Sequence, residues 1–216
     1  MLDPHIKEFM SAEECSMWTS KIVSLKDYWI KRSQVQYTLG LASYMDCGLE
    51  TKDYHNANKL FNNNQILLST FSSLYKKLIT FLNKELGTDV QLHEEAAYPG
   101  FHIYPPSLVW TDQTFNLSAI HKDIQFKDVF AEDKPTKENL LSFTLSLRLP
   151  ETKSGLNVWP KGRKEKMEFI EYKEGYIAMH SGLTTHQAVI GSCTDRPRVT
   201  LQGHGFTKEG KTLLYW

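Results

Sequence analysis

The sequence has no excess of charge of either sign: 25 Lys plus Arg balance 25 Asp plus Glu, a formal net charge of zero over 216 residues. That balance gives no electrostatic footprint for nucleic acid or for an anionic membrane surface, and both are excluded as partners. Long apolar runs are missing too, since none approaches the ~20 residues of a membrane-spanning helix. The start, Met1-Leu2-Asp3-Pro4-His5, lacks the basic and apolar regions of a secretory signal, which predicts a cytoplasmic protein. Cysteine is scarce. Cys15, Cys47 and Cys193 lie far apart with no Cys-x-x-Cys pair, so neither a disulfide framework nor a thiolate zinc site is indicated, and all three read as buried or incidental thiols. There is no internal repeat or low-complexity tract, and no signal for an oligomeric state.

What is present fits one well-cored domain spanning 1–216. The first part reads as helical, a layer over about 10–90. Ser11 followed by Glu14 is a capping-box pattern, and Cys15, Trp18, Ile22 and Leu25 recur at helical spacing, which predicts a helix over about 12–25. Leu67, Phe71, Leu74, Leu78 and Leu82 form a longer stripe that predicts a helix over about 56–86, stopped at Gly87. Such stripes are core faces. From Tyr98 the signals change to β-branched and aromatic runs broken by Pro and Gly: Phe101 to Tyr104, Ser118 to Phe126, Ser142 to Leu149, Leu156 to Trp159, Glu168 to Tyr172, Tyr176 to His180 and Arg198 to His204. Asp128 to Glu138 and Lys161 to Lys166 read as charged surface loops. The predicted class is α+β or mainly β, an antiparallel sandwich or barrel over about 98–205 with N-terminal helices packed against it.

Side chains alternate along a strand, so Ile120-His121-Lys122-Asp123-Ile124 projects His121 and Asp123 to one side, with Gln125 on the same face. His186 follows 65 residues after His121, just past a Gly-containing turn. Two His and one Asp around a metal with positions left open is the facial triad that suits non-haem Fe(II). Twelve residues beyond His186, Arg198-Val199-Thr200 puts a guanidinium and a hydroxyl on one face, well matched to a carboxylate.

His-x-Asp, a distal His, then Arg-x-Thr, in this order and spacing, resembles the Fe(II)/2-oxoglutarate-dependent dioxygenases over roughly 98–205. Tyr98-Pro99-Gly100-Phe101-His102-Ile103-Tyr104 and Ser154-Gly155-Leu156-Asn157-Val158 also have the family's look. The resemblance implies a double-stranded β-helix (jelly-roll, cupin-like) core. It makes His121, Asp123 and His186 the iron ligands and assigns the distal carboxylate of 2-oxoglutarate to Arg198 and Thr200. Fe(II), 2-oxoglutarate and O2 would then support hydroxylation of an unactivated C–H bond, with succinate and CO2 released. The likeness is greatest to small bacterial enzymes acting on free amino acids, halogenases included. Halogenases carry Gly at the metal-binding Asp, so Asp123 implies hydroxylation. Alternatives are a protein or peptide side chain as substrate, and a cupin-like metal-binding module with no oxygenase activity, which would not need Arg198-x-Thr200.

Other residues are assigned by parity. His102 shares a face with Tyr104, and His204 with Arg198 and Thr200, so each either lines the cavity or is a satisfied wall residue. His180 is the alternative distal ligand. In Phe143-Thr144-Leu145-Ser146-Leu147-Arg148-Leu149 the apolar residues should face packed core, leaving Arg148 either in the cavity, for a substrate carboxylate, or in solvent. Glu94, Glu95 or Asp112 would hold a substrate amine. His5, His55 and His93 read as solvated or locally satisfied. Leu213-Leu214-Tyr215-Trp216 should be docked, as packing or as a lid carrying Trp216 over the substrate.

Overall fold

Ser11 begins the first helix by the predicted capping box: Glu14 N–H donates to the Ser11 hydroxyl oxygen, and Ser11 N–H donates to the Glu14 carboxylate. The computed structural model describes residues 2–47, 53–107, 115–116, 118–130, 136, 138–160, 166–190 and 193–216. Asp112 and most of the loop residues 131–137 and 161–165 lie outside the described residues.

The elements before residue 100 are β1 (His5–Glu8), α1 (Ala12–Ser24), β2 (Ile30–Lys31), β3 (Tyr37–Leu39), α2 (Ser43–Asp46), α3 (Ala57–Leu86) and β4 (Asp89–Leu92). There follow β5 (Gly100–Tyr104), β6 (Phe115–Asn116), α4 (Phe126–Val129), β7 (Leu140–Arg148), β8 (Gly155–Trp159) and β9 (Glu168–Glu171). The chain finishes with β10 (Tyr176–His180), β11 (Thr185–Ile190), β12 (Arg198–Lys208) and β13 (Lys211–Tyr215). Gly87 ends α3 in the left-handed conformation, φ 66°, as its sequence predicts.

These strands form two sheets. The larger runs β1-β10-β7-β12-β5-β3-β2, with β13 also paired to β12 and β4 to β13; the smaller runs β6-β11-β8-β9. All pairings are antiparallel except β13 with β4. This is a mainly β, sandwich-like architecture with helices on one side. The N-terminal part is not purely a helical layer, because β1 to β4 join the edges of the large sheet.

The main core lies outside the sandwich. Phe101, Ile103, Phe143, Leu145, Leu147, Val199 and Leu201 alternate onto the outer face of the large sheet, where they pack with Trp18 and Ile22 of α1 and Leu67, Phe71, Leu74 and Leu78 of α3. The helix stripes and the β7 alternation are thus core faces, as predicted. The inner face of the same strands is polar, carrying His102, Ser142, Thr144, Arg198, Thr200 and His204. Period 2 in β5, β7 and β12 therefore sorts oil to the helices and chemistry to the space between the sheets.

One expectation is corrected here, and one pair of alternatives is decided. Ser118 to Phe126 is not a strand: His121 makes one isolated bridge with His186, and α4 begins at Phe126. Trp216 is packing and not a lid. Its N–H donates to Ala97 O and its carbonyl accepts from Ser43 N–H. Its ring fills the space where a Cβ on Gly100 would stand 2.2 Å away, so both glycines beneath it, Gly40 and Gly100, are steric necessities.

Candidate metal centre and carboxylate pocket

His121 and His186 meet because the loop carrying the first is stitched to the strand carrying the second. His121 N–H donates to His186 O and His186 N–H to His121 O, both at 2.9 Å. Asp123 N–H donates to Gly182 O at 2.8 Å, which sets the carboxylate beside the two imidazoles. His-x-Asp thus projects to one side without being a strand, because backbone ties replace the ladder.

Each imidazole donates Nδ1–H to the carbonyl two residues earlier, His121 to Ala119 O at 2.7 Å and His186 to Thr184 O at 2.9 Å. Both Nε2 atoms are left free as ligands and stand 3.6 Å from the Asp123 carboxylate. The ligand atoms of His121, Asp123 and His186 all lie within 4.8 Å of one another. Burial would raise the Asp123 pKa, but His186, His204 and His121 around it hold the carboxyl well below its usual range. His121 is raised by its contact with Asp123. Two imidazole nitrogens with fixed tautomers and one ionised carboxylate are a donor set suited to Fe(II).

These residues open on a cavity of about 350 Å³, within the range of small-molecule sites. Arg198 lines it, only 3% exposed. Its Nη1 lies 3.4 Å from Thr200 Oγ1, its Nε is buried without a partner, and no carboxylate pairs with it among the described residues. The rings of Tyr104 and Tyr172 flank it at 5.4 and 5.9 Å. A buried guanidinium with an unused donor is suited to receive an anion.

His102 and Tyr104 line the cavity, with His102 Nε2 2.5 Å from the Tyr44 hydroxyl. Burial, with Arg198 nearby, lowers the His102 pKa to about 3. His180 also lines the cavity, its ring 4.5 Å from that of His186. Burial keeps it neutral, with a pKa near 3. It falls outside the group of converging ligand atoms. His204 stands behind the wall, against Ser142. Trp216 lies a layer further back, its ring 5.1 Å from His102.

Arg148 does not enter the cavity. At the end of β7 it stands 3.9 Å from Glu174, whose carboxylate also accepts from Leu149 N–H and Arg196. The solvent alternative is the one realised. Glu94 and Glu95 line a separate groove with Tyr54 and Phe61. Residues that motif reading missed are Tyr44, Ser142 and Tyr172. Strand parity with Thr144 could have found Ser142, as parity with Arg198 and Thr200 did place Gln202 on the cavity face. Tyr44 had no local signal, because α2 is put in place by the buried pair of Arg32 with Asp46, both contacts 2.6 Å.

No protein-family model and no curated protein matches this chain. Solved structures do. The non-heme alpha ketoglutarate dependent epimerase SnoN from nogalamycin biosynthesis is 13% identical at TM-score 0.54, covering 97% of this chain and 82% of that one. An N-substituted L-amino acid dioxygenase from Burkholderia ambifaria AMMD is 12% identical at TM-score 0.54, covering 99% and 86%. The chain shares their fold. Among the described residues no helix is long and apolar enough to cross a membrane.

Proposed function

We propose that the protein is an Fe(II)- and 2-oxoglutarate-dependent oxygenase with a double-stranded β-helix core, one domain over 1–216, that hydroxylates an unactivated C–H bond of a small molecule. The observation that carries this reading is one cavity with the ligand atoms of His121, Asp123 and His186 converging within 4.8 Å and, on its wall, an Arg198 guanidinium that has no carboxylate partner among the described residues. The fold shared with a ketoglutarate-dependent epimerase and an amino acid dioxygenase supports it.

In this reading His121, Asp123 and His186 hold Fe(II), and Arg198 with Thr200 pairs with the far carboxylate of 2-oxoglutarate. When bound, iron with 2-oxoglutarate and O2 supplies the oxidising power, and succinate and CO2 leave. The chain's own work is placement. Ala119 O and Thr184 O keep both Nε2 atoms bare and aimed inward. Tyr104 and Tyr172 hold the guanidinium from two sides and exclude water from it. Neutral His102 and His180, with Leu156 and Ala188, form a wall of mixed polarity against which a small substrate is oriented. Asp123 fills the ligand position a halide would require, which favours hydroxylation over halogenation.

A free amino acid or similar small molecule is the proposed substrate class, and the cytoplasm the proposed compartment. The reading of a plain cupin-like metal module leaves Arg198 without a purpose. Anaerobic addition of Fe(II) and then 2-oxoglutarate should produce a visible charge-transfer band, and a library of free amino acids should show succinate release with one oxygen atom incorporated from labelled O2. Absence of the band with full iron loading would sink the cosubstrate assignment. A brominated product in excess bromide would overturn hydroxylation.

A further inference from the structure

Asp123 is held by more than its own loop. The Ser142 hydroxyl on β7 donates to Asp123 Oδ2 at 2.5 Å, and Ser142 Oγ lies 3.2 Å from His204 Nδ1 on β12. Because the hydroxyl hydrogen is committed to the carboxylate, the serine oxygen accepts and His204 Nδ1 carries the hydrogen. Ser142 and His204 are directly opposed in the β7–β12 register, so two strands of the large sheet fix the chain of contacts. His204 Nε2 is buried without a partner, which leaves Ser142 as the polar anchor of the ring. The rings of Tyr215 at 5.5 Å and Tyr44 at 6.5 Å box the imidazole in.

We infer that His204 and Ser142 form a strut that orients the Asp123 carboxylate for a divalent metal, which makes both positioning residues; this rests on the metal reading of the site above. A carboxylate on a loop turns about its terminal torsion, whereas one with Oδ2 tied to a sheet presents a fixed face to His121 Nε2 and His186 Nε2. The strut links the large sheet, which holds Arg198, to the loop that holds the metal ligands. Hydrogen bonds to a ligating side chain set its orientation, and their removal weakens metal binding by about 10- to 100-fold.

The test uses the full-length metal-free protein and Co(II) alone, followed by its visible absorption and by calorimetry. Ser142→Ala and His204→Leu are expected to bind Co(II) about 10- to 100-fold more weakly than wild type, with an altered spectrum. His204→Asn, whose amide nitrogen can stand where Nδ1 stood, should recover affinity and spectrum. Arg148→Ala, outside the cavity and beside Glu174, should match wild type. Folded Ser142→Ala protein with wild-type affinity and spectrum would overturn the strut. Failure of His204→Asn to recover either would remove the histidine from it. Should His204→Leu not fold, Ser142→Ala and His204→Asn decide. A wild-type protein that binds no Co(II) would overturn the metal reading itself.

Discussion

The two sheets that face each other across the cavity are supported differently. The large sheet has an apolar layer on its outside, with α1 and α3 sealing Phe101, Phe143, Leu145 and Leu201 from water. The small sheet packs through a much smaller cluster of Leu149, Leu156, Val158, Tyr172 and Ala178. Yet the proposed metal ligands belong to the small-sheet side, on β11 and the loop bridged to it. Stability and ligation are therefore housed apart, with Ser142, Arg198 and α2 reaching from the well-supported side toward the less supported one. Damage to each side should read out differently.

The largest effect is expected on the small-sheet side. Replacing His121, Asp123 or His186 singly by Ala should abolish turnover while thermal unfolding of the metal-free protein changes little, because none belongs to the apolar layer. Near-normal succinate formation by His186→Ala would transfer the ligand role to His180. The reverse pattern is expected for Asp46. Its carboxylate takes two contacts from Arg32 and the Ala42 N–H, and Asp46→Ala leaves the part-buried Arg32 guanidinium with only its bond to Thr38, at a loss of about 3 kcal/mol. Chemical denaturation measures that loss, and metal affinity should survive in the fraction that stays folded.

Arg198 lies where the two sides meet. Arg198→Ala should weaken 2-oxoglutarate binding by about 2–5 kcal/mol, a factor of about 30 to several thousand, with Arg198→Lys recovering part of it. Titration of 2-oxoglutarate into the iron-loaded protein is the check, and unchanged affinity would move the role to another cation. The smallest effect is a pH dependence on the large sheet's inner face. His102 is lowered by burial from 6.5 to about 3. Its folded value lies below its unfolded one, so its contribution is complete above about pH 6.5 and is lost as pH falls toward 3. Between pH 7 and 5 this amounts to roughly 2 kcal/mol. Urea unfolding of metal-free wild type and His102→Gln at both pH values should show the wild type losing more by about that amount.

The helices were legible because α1 and α3 carry their own signals: a capping box at Ser11, an apolar stripe from Leu67 to Leu82, and a left-handed stop at Gly87. So were β5, β7, β10 and β12, where alternation is strong. Strands β2, β3 and β6 were not, since two or three residues hold no period, and β11 was passed over because His186 was read as lying past a turn.

The sequence by itself determined which side chains could do chemistry and in what order they come: His121, Asp123, His186, Arg198 and Thr200, together with the alternation that sends apolar residues of β7 and β12 one way and polar residues the other. Those are local facts, set by residue type and backbone period. Tertiary structure alone decided that Arg148 turns out to Glu174, that Trp216 plugs the space over Gly100, that Tyr44 reaches His102, and that Ser142 and His204 stand behind Asp123. Each of these depends on a partner at least 19 residues away, and no local period encodes which strand a chain will meet after so long a loop.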